Sequence, residues 1–156
     1  MRQNHAAEDV GFAARAAAEE LAREGRCLRI LHVEDDDVDA RIVAHFLAAI
    51  ASPPLQVDRA RSVDEAARLL KERAYDLCLL DFWLGGHTSL EVVARIDASG
   101  RRLPIVVLSG VVGADAREFA LMAGAADCLA KNEITAARLA AAIETAIRKD
   151  APGAPA

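Results

Sequence analysis

Polar side chains stand where four apolar runs of the sequence end. Two acids, Glu34 and Asp35, follow the first run, and a third acid, Asp81, closes a later one. Ser109 closes another run, and Lys131 follows the last. If the runs are parallel strands, their carboxyl ends meet at the edge of the sheet where ligands of open α/β sheets bind. The pattern therefore predicts one pocket with three acids, a hydroxyl and a lysine.

These residue types predict phosphoryl chemistry. Three neighbouring carboxylates repel one another and require a cation between them. Oxygen ligands at a half-exposed edge favour Mg²⁺, or Mn²⁺ in its place. Lys131 would neutralise a second side of the pocket, and Ser109 could donate a hydrogen bond to an incoming oxygen. A carboxylate beside Mg²⁺ and an ammonium group can attack phosphorus and form an acyl phosphate.

Other motifs fit the acidic residues less well. An EF-hand loop starting at Asp35 would need glycine and glutamate at its sixth and twelfth positions, where the sequence has Ala40 and Phe46. The nucleophile loop of haloacid-dehalogenase-type phosphatases, D-x-D-x-[TV], fits Asp35 and Asp37 but has Asp39 in place of threonine or valine. A hydrolase nucleophile elbow and a P-loop are excluded, because neither G-x-S-x-G nor G-x-x-x-x-G-K-[ST] occurs.

Alternating strands and helices are predicted to position these side chains. The apolar runs lack regular alternation, as strands buried on both faces require, and lie at 27–33, 55–60, 75–81, 103–109 and 127–130. Helical patterns follow them at 37–50, 62–73, 88–98, 115–124 and 135–149. Strand and helix alternate five times, which predicts an α/β fold with a doubly wound (βα)5 parallel sheet.

Local signals define the helices further. Ser62-Val-Asp-Glu and Thr88-Ser-Leu-Glu have the capping-box pattern, and Asp115 and Thr135 are candidate N-caps. In the first helix one apolar face, typical of amphipathic packing, is formed by Val38, Ile42, Phe46 and Ile50.

Composition bounds the class of protein. The chain has 156 residues, 53% hydrophobic and 28% charged, which is typical of one globular domain. A net charge of −5 without a basic stripe argues against a nucleic-acid partner. The three cysteines form no C-x-x-C pair, and neither a signal peptide nor a membrane-spanning run is present. We expect a cytoplasmic protein with reduced thiols and no membrane association.

The two ends of the chain differ from the rest. Residues 1–26 are rich in alanine, glutamate and arginine and predict an N-terminal helical extension. This extension could dock on the domain, mediate dimerisation or remain loose. The domain itself is predicted at 27–149, followed by a disordered tail at 150–156.

Over residues 27–149 the sequence resembles the receiver domains of two-component response regulators. Arg-Ile-Leu-His-Val-Glu-Asp-Asp is similar to their first strand and acidic pair, and Tyr-Asp-Leu-Cys-Leu-Leu-Asp-Phe-Trp-Leu to their phosphoacceptor strand. Leu-Pro-Ile-Val-Val-Leu-Ser-Gly and Ala-Gly-Ala-Ala-Asp-Cys-Leu-Ala-Lys match the strands that carry the hydroxyl and the lysine. The resemblance implies a flavodoxin-like sheet with strand order 2-1-3-4-5 and a site between the first and third strands.

The resemblance also implies residue roles. Asp81 would accept a phosphoryl group from a histidine kinase or a histidine phosphotransfer protein, and Ser109 and Lys131 would contact its oxygens. Mg²⁺ would be bound directly by Asp35, Asp81 and the backbone carbonyl of Trp83, and through water by Glu34. Such a domain is not an enzyme beyond its own phosphorylation and autodephosphorylation.

Several positions depart from the family pattern. Cys128 stands where the family has the aromatic residue that moves on activation, so the usual switch is absent. Trp83 and Val111, at positions that modulate dephosphorylation, are both apolar and cannot orient an attacking water. We therefore expect slow loss of the phosphoryl group. Asp36, Asp37 and Asp39 match no family role and are assigned to the start of the first helix.

These features predict a single-domain response regulator that acts as a phosphorylation-gated protein-interaction switch or as a phosphate relay. A downstream protein target is expected. A homodimer could form through the N-terminal helix or through the face made by the fourth helix, fifth strand and fifth helix. Two alternatives stay open: a pseudo-receiver that binds partners independently of phosphate, and a Mg²⁺-dependent haloacid-dehalogenase-type phosphatase.

Overall fold

A computed structural model of the chain describes residues 23–110 and 114–150. The strands are β1 (Leu28–Val33), β2 (Leu55–Ala60), β3 (Leu77–Asp81), β4 (Trp83–Leu84), β5 (His87–Thr88), β6 (Ile105–Ser109) and β7 (Asp127–Ala130). The main sheet is parallel, with the order β2-β1-β3-β6-β7. Because β6 and β7 are the fourth and fifth strands of this sheet, the predicted fold class and strand order are confirmed. The short strands β4 and β5 form a separate pair.

In the described residues, five helices cover the two faces of the sheet. They are α1 (Asp37–Ala48), α2 (Val63–Glu72), α3 (Leu90–Ala98), α4 (Ala114–Met122) and α5 (Ala136–Asp150), and a 3₁₀ turn spans Lys131–Glu133. None of the helices in the described residues has both the length and the apolarity needed to cross a bilayer. Residues 1–22 of the predicted extension and 151–156 of the predicted tail lie outside the described residues.

The core lies in two layers because the central strands are buried on both faces. Every residue of β3 and β6 is buried, which explains their unalternated apolar sequences. One cluster joins the sheet to α2, α3 and α4, and the other joins it to α1 and α5. A fully buried leucine such as Leu80 or Leu139 stabilises the fold by roughly 1.5–3 kcal/mol relative to an exposed one.

Helix α1 packs on the sheet with a face that matches the predicted one only in part. Phe46 and Ile50 of the predicted stripe pack against the core, whereas Val38 and Ile42 are 60% and 45% exposed. The buried residues of the helix are Ala40, Val43 and Leu47. Both stripes have helical spacing, and the choice between them depends on the rotation of α1 over β1.

A two-stranded hairpin occupies the segment after β3. Strand β4 pairs antiparallel with β5 across Gly85 and Gly86, whose φ angles are 57° and 83°. Positive φ at both central residues is the type I′ turn, which Gly-Gly favours. The predicted capping box at Thr88 was wrong, because Thr88 pairs with Trp83 and α3 begins only at Leu90.

Capping residues were predicted correctly at α2 and α5, and the predicted cap of α4 was wrong. The Ser62 hydroxyl accepts from the backbone N–H of Glu65 at 3.1 Å, and Thr135 accepts from that of Arg138 at 3.1 Å. Asp115 lies inside the first turn of α4 and not before it. Because each cap satisfies a backbone donor that the first helical turn leaves free, the start of a helix is visible in the sequence.

Candidate functional site

The carboxyl ends of four strands bring the predicted polar residues to one edge of the sheet. Glu34 and Asp35 follow β1, Asp81 ends β3, Ser109 ends β6, and Lys131 follows β7. Because neighbouring strands are in parallel register, these positions end at nearly the same level. The Ser109 side chain is buried at this edge.

Lys131 is the centre of the pocket. Its ammonium nitrogen lies 2.8 Å from a Glu34 oxygen, 2.6 Å from an Asp39 oxygen and 3.0 Å from an Asp81 oxygen. An ammonium group has three N–H donors, so the three carboxylates match its full capacity. Glu34 and Asp81 are buried, at 0% and 5% exposure. Lys131 is thus the shared partner of three acids, two of which are buried.

Burial and charge act in opposite directions on the ionisation of this group. Burial raises the pKa of Glu34 to about 7, although hydrogen bonds from Lys131 and from the Asp36 backbone oppose the shift. Burial likewise raises the pKa of Asp81 against the stabilising effect of Lys131. For Lys131, burial favours the neutral form, but the three carboxylates outweigh it and raise its pKa. The pocket therefore has more negative charge than its own cation balances.

Three of the acids form a group that could hold a metal ion. Carboxylate oxygens of Glu34, Asp35 and Asp81 lie within 4.8 Å of one another. An all-oxygen set at the exposed end of a buried strand suits Mg²⁺ better than a softer ion. The residues present therefore fit the magnesium site expected from the sequence.

Two backbone amides of the hairpin donate hydrogen bonds to acids of the pocket. The N–H of Gly85 donates to Asp35 at 2.9 Å, and the N–H of Trp83 donates to the Asp81 carboxylate. The hairpin thus couples the position of Trp83 to the two acids. The Gly-Gly pair flanked by residues of high strand propensity was the signal for this element.

Arg59 of β2 contributes to the pocket edge, although no sequence motif distinguishes it from an ordinary strand end. Its guanidinium donates to the backbone carbonyls of Glu34 and Asp35 at 2.9 and 3.2 Å, and to the Asp37 carboxylate at 2.7 Å. The hydrogen bond from Arg59 lowers the pKa of Asp37. Arg59 therefore fixes the acidic loop from the neighbouring strand β2.

Asp39 makes a contact that was not predicted from the sequence. It was assigned with Asp36 and Asp37 to the start of α1, and it does lie in the first turn, where Asp36 caps the helix by accepting from the amides of Val38 and Asp39 at 2.8 Å. The Asp39 side chain also contacts Lys131. An aspartate that starts a helix and one that pairs with a distant lysine look alike in the sequence. Only the distance between Asp39 and Lys131 in the structure distinguishes the two roles.

Trp83 and Cys128, which were expected to modulate the site, differ in their exposure to solvent. Trp83 is 44% exposed and its ring meets that of Phe82 edge-on, with centroids 5.5 Å apart. Phe82 in turn meets Phe119 of α4 at 6.2 Å. Cys128 is buried in the core layer on the α4 side, and burial raises the pKa of its thiol. Val111 lies outside the described residues.

Comparisons with known proteins agree with this geometry. The model of the response regulator receiver domain matches residues 30–144. The alginate biosynthesis transcriptional regulatory protein AlgB of Pseudomonas aeruginosa is 31% identical over 122 residues, which cover 78% of this chain and 26% of AlgB. The chain thus spans about a quarter of the length of this relative.

Solved structures with the same fold include two that are at least 25% identical in sequence to this chain. A putative response regulator from Chloroflexus aurantiacus has a TM-score of 0.69 and 25% identity, covering 78% of this chain and 98% of that one. The receiver domain of the sensor histidine kinase PA1611 from Pseudomonas aeruginosa has a TM-score of 0.66 and 29% identity, covering 77% and 97%. The PA1611 structure has a magnesium ion coordinated in its active site cleft.

Proposed function

The chain belongs to the response regulator receiver domain family, and from this membership we propose that Asp81 accepts a phosphoryl group from a histidine of a partner protein. The partner is a sensor histidine kinase or a histidine phosphotransfer protein. The observation that carries the proposal is the contact of Asp81 with Lys131 at 3.0 Å inside a pocket of further acids.

The transfer is a displacement at phosphorus. An Asp81 carboxylate oxygen forms the new P–O bond while the P–N bond to the donor histidine breaks, and the imidazole keeps the electron pair and later takes a proton. Lys131 and Ser109 bind the phosphoryl oxygens, which supports the charge that develops on them. Because Asp81 is 5% exposed, its carboxylate has little bulk water to displace as it attacks.

A divalent ion belongs to this function. Asp35, Asp81 and the backbone carbonyl of Trp83 would hold Mg²⁺ or Mn²⁺, with Glu34 acting through water. When bound, the ion supplies positive charge that balances the acids and the transferred group. The close grouping of the Glu34, Asp35 and Asp81 oxygens supports this assignment.

The chemistry ends with the protein's own modification. We propose that it loses the phosphoryl group slowly, because the side chains of Trp83 and Val111 offer no polar atom suited to orienting an attacking water. With Cys128 in place of an aromatic switch, the rings of Phe82 and Phe119 support another route from the pocket to α4.

The proposed role is a phosphorylation-gated switch for protein binding, or a phosphate relay, in the cytoplasm. The exposed Val38 and Ile42 beside the acidic loop support donor docking on α1. Phe119 and Met122 of α4, 48% and 81% exposed, support a downstream protein or a second copy of the chain on the α4–β7–α5 face. Neither nucleic acid nor a membrane is required by this role.

Phosphorylation with a small donor tests the proposal. The chain is incubated with Mg²⁺ and acetyl phosphate, and its intact mass is measured. We expect a gain of one phosphoryl group that is lost in Asp81→Asn and kept in Asp58→Asn, a matched carboxylate replacement outside the pocket. Turnover of small phosphate esters would indicate a phosphatase instead, and an unchanged mass would indicate a pseudo-receiver.

A further inference from the structure

Asp39 has an unexpected contact for a residue in the first turn of a helix. Its carboxylate lies 2.6 Å from the ammonium nitrogen of Lys131, closer than Glu34 at 2.8 Å or Asp81 at 3.0 Å. The Asp39 side chain is 38% exposed, whereas those of Glu34 and Asp81 are 0% and 7% exposed. Asp39 therefore holds the lysine from the outer, α1 side of the pocket.

The start of α1 is provided by other residues. Asp36 accepts hydrogen bonds from two backbone amides of the first turn. Asp37 is paired with Arg59 and Arg61, both at 2.7 Å. The Asp39 carboxylate makes neither kind of contact in the described residues, so the structure assigns it to Lys131.

Phosphorylation of Asp81 would create competition for the lysine. A phosphoryl group brings three new acceptor oxygens and additional negative charge to the position that Lys131 already contacts. All three N–H donors of the ammonium are matched by carboxylates, so a new bond to the phosphoryl group requires the loss of an existing one. The Asp39 carboxylate therefore competes with the phosphoryl group for the ammonium of Lys131.

We propose that Asp39 is a positioning residue that restrains Lys131 on the α1 side of the pocket and thereby slows phosphorylation of Asp81. The inference rests on the proposed function. It deepens that function by naming a residue that acts through Lys131 without touching the transferred group.

The chain offers a matched control, because Asp37 is in the same helical turn and is paired with arginines. Asp39→Asn and Asp37→Asn remove the same charge, but only the first weakens the contact with Lys131. Asp39→Glu keeps a carboxylate and should restore the restraint. Unfolding curves for each variant would establish that all of them are folded.

Initial rates of phosphorylation of the full chain by acetyl phosphate with Mg²⁺ would be followed by intact mass. We expect Asp39→Asn to be about threefold to fivefold faster than the unsubstituted chain, which is the range of a partly exposed ion pair. Asp37→Asn and Asp39→Glu should remain within about twofold of it. Fluorescence of Trp83, the single tryptophan, would report Mg²⁺ affinity, which should change equally in Asp39→Asn and Asp37→Asn.

The outcomes separate the two proposals. If the unsubstituted chain gains no phosphoryl group, the proposed function falls and this inference falls with it. If it is phosphorylated but Asp39→Asn is unchanged, slower, or accelerated no more than Asp37→Asn, the restraint by Asp39 is overturned and the proposed function stands.

Discussion

Two clusters of charged side chains in this molecule differ in how their acids are paired with positive charge. The first is the pocket around Lys131. The second lies beside the start of β3, and we call it the β3-entry cluster; it comprises Arg26, Asp58, Arg73, Tyr75 and Asp76.

In the β3-entry cluster each acid has its own donors. Asp58 accepts from the Tyr75 hydroxyl at 2.8 Å and from Arg73 at 2.9 Å. Asp76 accepts from Arg26 at 3.1 Å and from the backbone of Arg29 at 2.9 Å. The hydrogen bond from Tyr75, aided by Arg73, lowers the pKa of Asp58. Asp58 is therefore stabilised in its charged form.

In the pocket the balance is reversed. Burial raises the pKa of Glu34 and Asp81, and Lys131 is shared among three carboxylates. The difference separates a cluster whose acids have their own donors from one in which several acids share a single cation. A satisfied cluster gains nothing from another cation, whereas the pocket is stabilised by any positive charge that enters it.

The largest expected effect comes from removing the cation of the pocket. Lys131→Met leaves three acids without a counter-charge and should lower the free energy of unfolding by about 3 kcal/mol without Mg²⁺. Urea denaturation at neutral pH measures the change. Arg26→Met, the matched change in the β3-entry cluster, should cost far less because the Arg26 side chain is 57% exposed and its partner Asp76 keeps the donor from the Arg29 backbone. Equal losses in the two variants would contradict the contrast.

Neutralising one acid in each cluster should give changes of opposite sign. Asp81→Asn removes a buried charge that the fold disfavours and should raise the free energy of unfolding by on the order of 1 kcal/mol. Asp58→Asn removes a charge that Tyr75 and Arg73 stabilise and should lower it by less than about 1 kcal/mol. Denaturation without Mg²⁺ measures both changes. Changes of the same sign in the free energy of unfolding would contradict the contrast between the clusters.

The smallest expected effect is on the pH dependence of stability. The pKa of Glu34 is raised to about 7, so its favourable contribution is complete below its unfolded value and is lost as pH rises through neutrality. The lowered pKa of Asp58 acts oppositely: its contribution is present at neutral pH and is lost on acidification. Glu34→Gln should flatten the decline toward neutral pH, and Asp58→Asn the decline in acid. Parallel curves for both variants and the unsubstituted chain would argue against these shifts.

The sheet and the positions of the main polar residues could be predicted from the sequence. Unalternated apolar runs indicate strands buried on both faces, and the residue at the end of such a strand must lie at the carboxyl edge. Asp81 and Lys131 could therefore be assigned to one edge before any distance was known. The hairpin after β3 was not predicted, although Gly85-Gly86 is a turn signal, because the capping pattern at Thr88 indicated a helix start in its place.

The remaining site residues depend on the rotation of helices and on contacts between distant segments. Arg59 and Asp39 lie 25 and 92 residues in sequence from their partners Glu34 and Lys131. The same rotation of α1 leaves Val38 and Ile42 exposed and directs Asp39 to the lysine.

The amino-acid sequence alone was enough to predict which strands of the main sheet are buried, how these strands alternate with helices, and which acids, hydroxyl and amine stand at strand ends. Those features follow from local periodicity and from the direction of the chain. The carboxylates that share Lys131 are known only from the folded structure, because the partner of a charge is set by distances of a few ångströms between elements. Periodicity within one element carries no information about those distances.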